Sequence, residues 1–293
     1  MTIFLKERLL ERIEEAALQP NSWTLPALST PSHELAEFSQ QYGVHPSFLL
    51  VLVSVGGNDI AFWRQVVESL PYGANTRLLI ARWIEWLWAD PSVGLRRRIG
   101  DPDLRACGDS IFALQNRAAA GEEVSRTEWR AARGALSNAA AKVDAVQAGA
   151  AGGAAAAAWD LESVPGAAAD MIYALKTTLF AEIDRDLAWN DEKEAAAAER
   201  SEKMHAAGLA SAESEADQSA TANGGTVDEA AQARMRELYQ KGTQAFIAAN
   251  PSDLDRRGEL RNAAYAEIYR VAREGLLHQT SRHQGERSLA PVA

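Results

Sequence analysis

The feature of this sequence that most constrains its fold is the spacing of its apolar residues, which recur at every third or fourth position along much of the chain. That spacing places them on one face of an α-helix, whereas a half-buried strand would alternate apolar and polar residues. No stretch of the sequence alternates in that way, and no hairpin signal joins two such stretches. We therefore predict an all-α protein whose short connections favour an antiparallel helical bundle or a short helical stack.

Several helices are predicted from their first residues. A polar side chain there accepts a hydrogen bond from a free backbone amide, and proline fits the first turn. Ser125 and Glu128 also match a capping box, in which each side chain binds a backbone amide of the other residue. An amphipathic helix over residues 2–18 is predicted to open the chain. The predicted later starts are Pro31, Asn58 or Asp59, Asn75, Asp101 and Ser125.

Residues 46–55 form an apolar segment that fits either a buried strand or a buried helix. Its valines favour a strand, but its neighbours are helical and no partner strand is evident, so we predict a buried helix. Its apolar run is far shorter than the roughly 20 residues that cross a bilayer. The N-terminus is rich in glutamate and unlike a signal peptide, so we expect no membrane partner and a cytoplasmic location.

Three tryptophans lie within six residues of the helix that Asn75 begins: Trp83, Trp86 and Trp88. The wide apolar stripe around them is typical of a deeply buried helix. Tryptophan is also enriched at the centres of protein interfaces, so an exposed binding surface is the alternative. Trp88 is therefore kept as a candidate partner-binding residue.

The chain is predicted to divide into four parts. Residues 1–189 form the main helical domain, in which an alanine-rich stretch at 131–158 is interrupted around Gly152 and Gly153. Residues 190–227 form an exposed helix followed by a flexible linker over 211–226. The residues of that linker are small and polar and show no apolar repeat. Residues 228–278 form a C-terminal helical hairpin, and residues 279–293 a disordered tail.

No catalytic motif is present in the sequence. It has no glycine-rich phosphate loop followed by Lys-Ser or Lys-Thr, and His33-Glu34 is not followed by the second histidine of a zinc helix. The single cysteine, Cys107, has no nearby histidine that would activate it as a nucleophile. We therefore expect a protein that is not an enzyme and that needs no cofactor and no metal.

From the formal net charge of −10 we expect no nucleic-acid partner, because phosphate binding normally requires a basic surface. Arg96-Arg97-Arg98 is a short basic cluster that fits a solvated turn. Acidic residues gather near the end of a predicted helix, which indicates either a solvated face or a surface for a basic protein. These candidate partner-binding residues, called the acidic cluster, are Glu182, Asp184, Asp186 and Asp191.

A helix begins at Asp101-Pro102, an Ala120-Gly121-Glu122 turn follows it, and a second helix with Trp129 leads into the alanine-rich stretch. With the tryptophan-rich helix upstream, this order over residues 76–190 resembles alanine-rich, all-helical immunity proteins of bacterial polymorphic-toxin systems. The resemblance implies a non-catalytic protein that neutralises a cognate toxin by direct binding, and it supplies no catalytic residue. The alternative is a structural or adaptor component, phage- or secretion-associated, that self-assembles through its helices.

Overall fold

The computed structural model describes residues 5–17, 32–222 and 229–288, and within these ranges the regular structure is helical, with no strand. The all-α prediction is confirmed. The helices α1–α7 are Lys6–Ala17, Ser32–Tyr42, Pro46–Gly56, Ile60–Ser69, Thr76–Ala89, Pro102–Ala119 and Arg126–Ala140. The helices α8–α13 are Ala145–Ala150, Gly152–Ala156, Ala167–Asp186, Asp191–Ala222, Glu229–Ala249 and Asp253–Ser288. No helix in the described part of the chain is both long enough and apolar enough to cross a membrane.

Contacts divide the chain into two compact units, a first unit of residues 1–181 and 264–293 and a second unit of residues 182–263. The structure differs from the predicted linker, since α11 continues as a helix through residues 211–222. Alanine, glutamate and glutamine are good helix formers even where no apolar stripe is present. The remaining linker residues, 223–226, lie outside the described part.

The C-terminal segments also differ from the prediction. α12 packs along α11, so the hairpin of the second unit is α11 with α12 and not α12 with α13. α13 continues to Ser288, through much of the predicted tail, and residues 289–293 lie outside the described part. The sequence indicates helices here without indicating their partners.

The first unit is built around α3, in which eight of the 11 residues are buried. The prediction of a helix for this segment is confirmed. The His45 side chain accepts a hydrogen bond from the backbone N–H of Ser47, and Pro46 occupies the first turn. Gly57, with a φ of 56°, ends the helix in a conformation that strongly favours glycine. These caps fix where the apolar segment begins and ends, and no residue of α3 is exposed.

Trp83 and Trp88 of α5 belong to the core of the first unit, with 0% and 2% of their surface exposed. The indole N–H of Trp83 donates to the carbonyl of Ala272 at 2.9 Å, and that of Trp88 donates to Asp109 at 2.8 Å. Burial with a satisfied polar atom is the expected state of a core tryptophan. Trp88 is thus inaccessible to a partner, and its candidacy as a partner-binding residue is corrected.

The predicted helix starts at Asp59, Asn75, Asp101 and Ser125 are confirmed, since each side chain accepts a backbone N–H in the first turn. Both halves of the Ser125 capping box are present. The alanine-rich stretch, predicted to be interrupted around Gly152 and Gly153, forms three helices, α7, α8 and α9. Asp144 begins the extra helix by accepting the N–H groups of Val146 and Gln147.

Candidate protein-binding site

The acidic cluster lies at the end of α10 and the start of α11, within the second unit. Asp186 and Asp191 are exposed, whereas Glu182 and Asp184 are half-buried. Arg185 lies 3.2 Å from Asp186, a contact exposed to solvent on both sides. The four residues are therefore near one another along the chain, as the sequence predicts, but their side chains differ in their access to a partner.

Asp184 forms ion pairs with two arginines of its own unit. Arg257 donates to both of its carboxylate oxygens at 2.8 and 3.0 Å, and Arg261 donates to one of them at 2.5 Å. These contacts lower the pKa of the Asp184 carboxyl below its ordinary value, with the hydrogen bond from Arg257 as the main cause. Asp184 thus stabilises the second unit and contributes little free charge to a binding surface.

Arg257 connects this carboxylate to a second one. Its guanidinium stacks 4.0 Å above the Trp189 ring and donates to Glu194 at 3.0 Å. The indole N–H of Trp189 also donates to Glu194, and this hydrogen bond is the main cause of the lowered pKa of that carboxyl. The start of α13 is held in this way to the end of α10 and the start of α11, all within the second unit.

Two further ion pairs join α11 to the start of α13 in the second unit. Lys193 binds Asp253 at 2.7 Å, and Arg200 binds Asp255 at 2.5 Å. The Arg200 side chain is mostly buried and also donates to the carbonyl of Asn250. Lys193 and Arg200 are therefore paired with carboxylates of their own unit. Exposed carboxylates of this unit that make no ion pair, among the described residues, include Asp191, Glu192, Glu202, Glu237 and Glu259.

The α11–α12 hairpin is closed by small residues. A side chain at Gly208 would collide with the Tyr239 ring at 2.6 Å, and one at Gly242 would lie 2.8 Å from the carbonyl of Ala207. Among the described residues of the second unit, the buried ones are small: Ala197, Gly208, Ala212 and Ala231. The two helices consequently approach closely, and longer apolar side chains are left at the margins of the contact.

Those longer side chains line an open groove of about 590 Å³ along the hairpin. Its apolar lining consists of Leu209, Ala212, Met235 and Tyr239, and Gln232, Arg236 and Gln240 border it. Leu209 has 52% of its surface exposed, a large fraction for a leucine. We call these seven residues the hairpin groove. The sequence does not predict this groove, because the segment around Ala212 was expected to be a linker and the packing of α12 along α11 was not expected.

The polar groups of the first unit that resemble a catalytic arrangement serve to hold the fold. His45 Nδ1 lies 2.7 Å from Ser47 Oγ, and His45 Nε2 lies 3.2 Å from Glu162. Ser47 is fully buried, so a substrate could not reach its hydroxyl as a nucleophile requires. In the described part of the chain, no group of three His, Cys, Asp or Glu could hold a metal ion.

The basic cluster is also engaged within the first unit. Arg96 binds Asp109 with two hydrogen bonds of 2.8 Å, and Arg98 donates to the carbonyls of Val93 and Gly94 at 2.9 and 2.8 Å. Arg97 donates to the carbonyl of Pro91. The three arginines thus close the turn that follows α5, where the sequence predicts a turn.

No family model, curated protein or solved structure matches the chain. Its class is therefore defined by its own geometry. It is an all-helical protein whose second unit combines exposed carboxylates with an apolar groove between two closely packed helices.

Proposed function

We propose that the chain is a non-catalytic binding protein for a basic protein partner, and that it acts as an immunity protein that neutralises a bacterial toxin by direct binding. The observation that carries this proposal is the uneven charge of the two units. The second unit has 17 Asp and Glu against 10 Lys and Arg, a formal net charge of −7, whereas the first has 23 against 20, a net charge of −3. Most of the excess charge thus lies in the smaller unit.

The ion pairs of the second unit strengthen this argument. Arg257 and Arg200 are bound to the half-buried Asp184 and Asp255, and Lys193 is bound to the exposed Asp253, so these three cations are paired within the unit. The exposed carboxylates on α11, α12 and α13 remain to set the field outside the unit. Such a field steers a basic protein toward this surface and raises its association rate.

The order of helix starts and alanine-rich helices over residues 76–190 adds the more specific part of the proposal. It resembles immunity proteins of bacterial toxin systems, in which direct binding is the activity. A toxin inhibited in this way would present a basic surface to the second unit.

Recovery of the tagged protein from its native host, with identification of what accompanies it, tests the proposal. A toxin encoded beside its gene and recovered at equal stoichiometry is the expected result. Recovery of the chain alone or only with copies of itself contradicts it, and self-association measured by sedimentation would then favour the self-assembling structural alternative.

A matched pair of charge variants tests the role of the second unit. Glu192→Lys, Glu202→Lys and Glu237→Lys together should slow toxin association by about tenfold or more at low salt. Glu11→Lys, Glu37→Lys and Glu123→Lys together make the same charge change at exposed positions of the first unit. Equal slowing by both triple variants would show that net charge alone matters, and that the second unit is not the binding surface.

A further inference from the structure

We propose that the hairpin groove binds an amphipathic α-helix of the partner, with its apolar stripe in the groove and lysines or arginines beside that stripe. This inference rests on the proposed function and identifies the part of the partner that is recognised. It is carried by an uncovered apolar lining together with exposed carboxylates on α11 that lie one and two helical turns from Leu209.

The geometry of the hairpin favours a helix as the occupant. The contacts of α11 with α12 run in opposite order, because Gly208 meets Tyr239 while Ala207 meets Gly242, so the helices are antiparallel. Two antiparallel helices leave a groove in which a third helix can pack its side chains. An amphipathic helix would fill it with apolar residues spaced three and four apart.

The side chains that line the hairpin groove are suited to binding a partner. His205 Nδ1 lies 2.8 Å from the Tyr239 hydroxyl, and the same tyrosine ring lies against Gly208. Tyr239 is thereby fixed on both sides, and a fixed aromatic wall loses little entropy on binding. Met235 is half-buried beside it, and its flexible thioether can adapt to the side chains of a partner.

The charges beside the groove determine the chemistry of the occupant. Glu202 and Glu213 stand seven residues before and four residues after Leu209 on α11, and both are exposed. That spacing places them beside Leu209 on the same face of the helix. Arg236 on the opposite wall donates to the carbonyl of Gln232 in its own helix. The second unit of another copy of this chain would bring a further net charge of −7 to the groove, whereas a helix with lysines would neutralise these carboxylates.

Binding of synthetic helices to the full chain tests the inference. The probe is a labelled amphipathic peptide of about 18 residues, which spans about 27 Å as a helix, with a leucine stripe and lysines elsewhere. Two comparison peptides carry glutamate in place of lysine, or the same residues with the leucines scrambled. We expect the lysine peptide to bind at one to one, and the other two to bind at least about tenfold more weakly.

Leu209→Glu is the variant that should abolish this preference, with a loss of at least about tenfold in affinity for the lysine peptide. Ile247→Glu is its matched control, because Ile247 is an exposed apolar residue of α12 that does not line the groove. Circular dichroism of both variants confirms that the helices remain formed. Unchanged binding by Leu209→Glu, or equal binding of the scrambled peptide, would overturn the inference.

Sedimentation of the chain alone completes the test. Self-association that Leu209→Glu abolishes would make a second copy the occupant and overturn the inference. Its failure is distinguishable from failure of the proposed function. If Leu209→Glu retains the toxin, the groove is not the site although the function stands. If no toxin is recovered but the lysine peptide binds in the groove, the function fails and the groove inference stands.

Discussion

The two units of this protein are both helical but are stabilised in different ways. The first unit buries large side chains, among them Trp83, Trp88, Phe48 and Phe112. In the described part of the second unit, the buried residues are small, and ion pairs such as Arg257 with Asp184 hold its helices together. Burial of large apolar side chains contributes most of the stability of a domain, so we expect the first unit to be the more stable of the two.

The difference also bears on function. A core of large side chains uses its apolar surface internally, whereas a seam of alanine and glycine leaves longer side chains such as Leu209 at the margin. The apolar surface at this margin stays available to a partner because the two helices pack through alanine and glycine and do not bury it. A less stable unit with a ready binding surface is a common arrangement, since regions that bind are often drawn from the less stable parts of a protein.

The largest effect is expected from Trp83→Ala in the first unit. The substitution leaves a cavity in a closely packed core and removes the donor to the Ala272 carbonyl, which should lower the free energy of unfolding by about 4 kcal/mol. Denaturant unfolding followed by circular dichroism measures the loss. Trp159→Ala is the control, because that ring is 45% exposed and should cost about 1 kcal/mol or less for its contact with Arg133. A similar loss in both variants would contradict a core that depends on large buried side chains.

A smaller effect is expected from Gly242→Ala in the second unit. The added methyl group would lie 2.8 Å from the carbonyl of Ala207 and would also collide with Ser211, so the helices must separate. We expect a loss of about 2 kcal/mol in that unit. Hydrogen exchange of the α11 and α12 amides measures it, since exchange reports the stability of each unit separately.

Gly258→Ala is the matched control for that substitution. Gly258 is also helical and also in the second unit, but a methyl group there meets nothing within 4 Å. Alanine should therefore stabilise the helix by up to about 1 kcal/mol. If the two substitutions changed stability in the same direction, the close approach at Gly242 would not be what holds the hairpin together.

The parts of this structure that could be predicted from sequence are those governed by local contacts. Asp59, Asn75, Asp101 and Ser125 cap their helices through backbone amides no more than three residues away, so their patterns are readable without tertiary structure. The burial of residues 46–55 was predicted for a similar reason, because a segment that is apolar on every side has no solvent-facing surface.

The candidate site could not be predicted in this way because it depends on distant contacts. Asp184 is not a free carboxylate, because it is bound by Arg257 and Arg261, which are 73 and 77 residues further along the chain. The hairpin groove exists because Gly208 and Gly242 let α11 and α12 approach closely. Leu209 is an isolated large apolar residue in a polar segment, and Met235 and Tyr239 are spaced four residues apart on α12; these were the signals that could have indicated the groove.

A modest effect is expected from Arg257→Ala, which removes the cation shared by Asp184 and Glu194. Both carboxylates remain partly accessible to water, so the loss should be about 1 kcal/mol in the second unit. Hydrogen exchange at the start of α11 measures it. Arg256→Ala removes an exposed neighbour and should change stability by less than about 0.5 kcal/mol. Equal effects of the two substitutions would indicate that the network around Arg257 contributes nothing specific.

The smallest expected effect is a dependence of stability on pH, which we expect in the first unit and not in the second. Burial lowers the pKa of His45 in the first unit, against the raising effect of Glu162. A histidine whose folded pKa lies below its unfolded value of about 6.5 contributes stability above that pH, and the contribution is lost as pH falls through the folded pKa. The Nδ1 atom of His45 accepts the Ser47 amide, so protonation there would also remove the cap of α3.

We therefore expect the first unit to lose stability between pH 7 and pH 5. Asp184 in the second unit stays ionised over this range, because the unfolded pKa of an aspartate is about 3.9 and the folded pKa of Asp184 is lower. His45→Asn keeps an oxygen that can cap the helix but removes the titration, so its unfolding midpoint should be nearly constant across this range. His205→Asn, at an exposed histidine of the second unit, should leave the pH dependence of the first unit as in the unsubstituted protein. Denaturant midpoints at closely spaced pH values measure all three proteins. If His45→Asn retained the slope, another group would be responsible for it, and the buried cap of α3 would not be the pH-sensitive element of the larger unit.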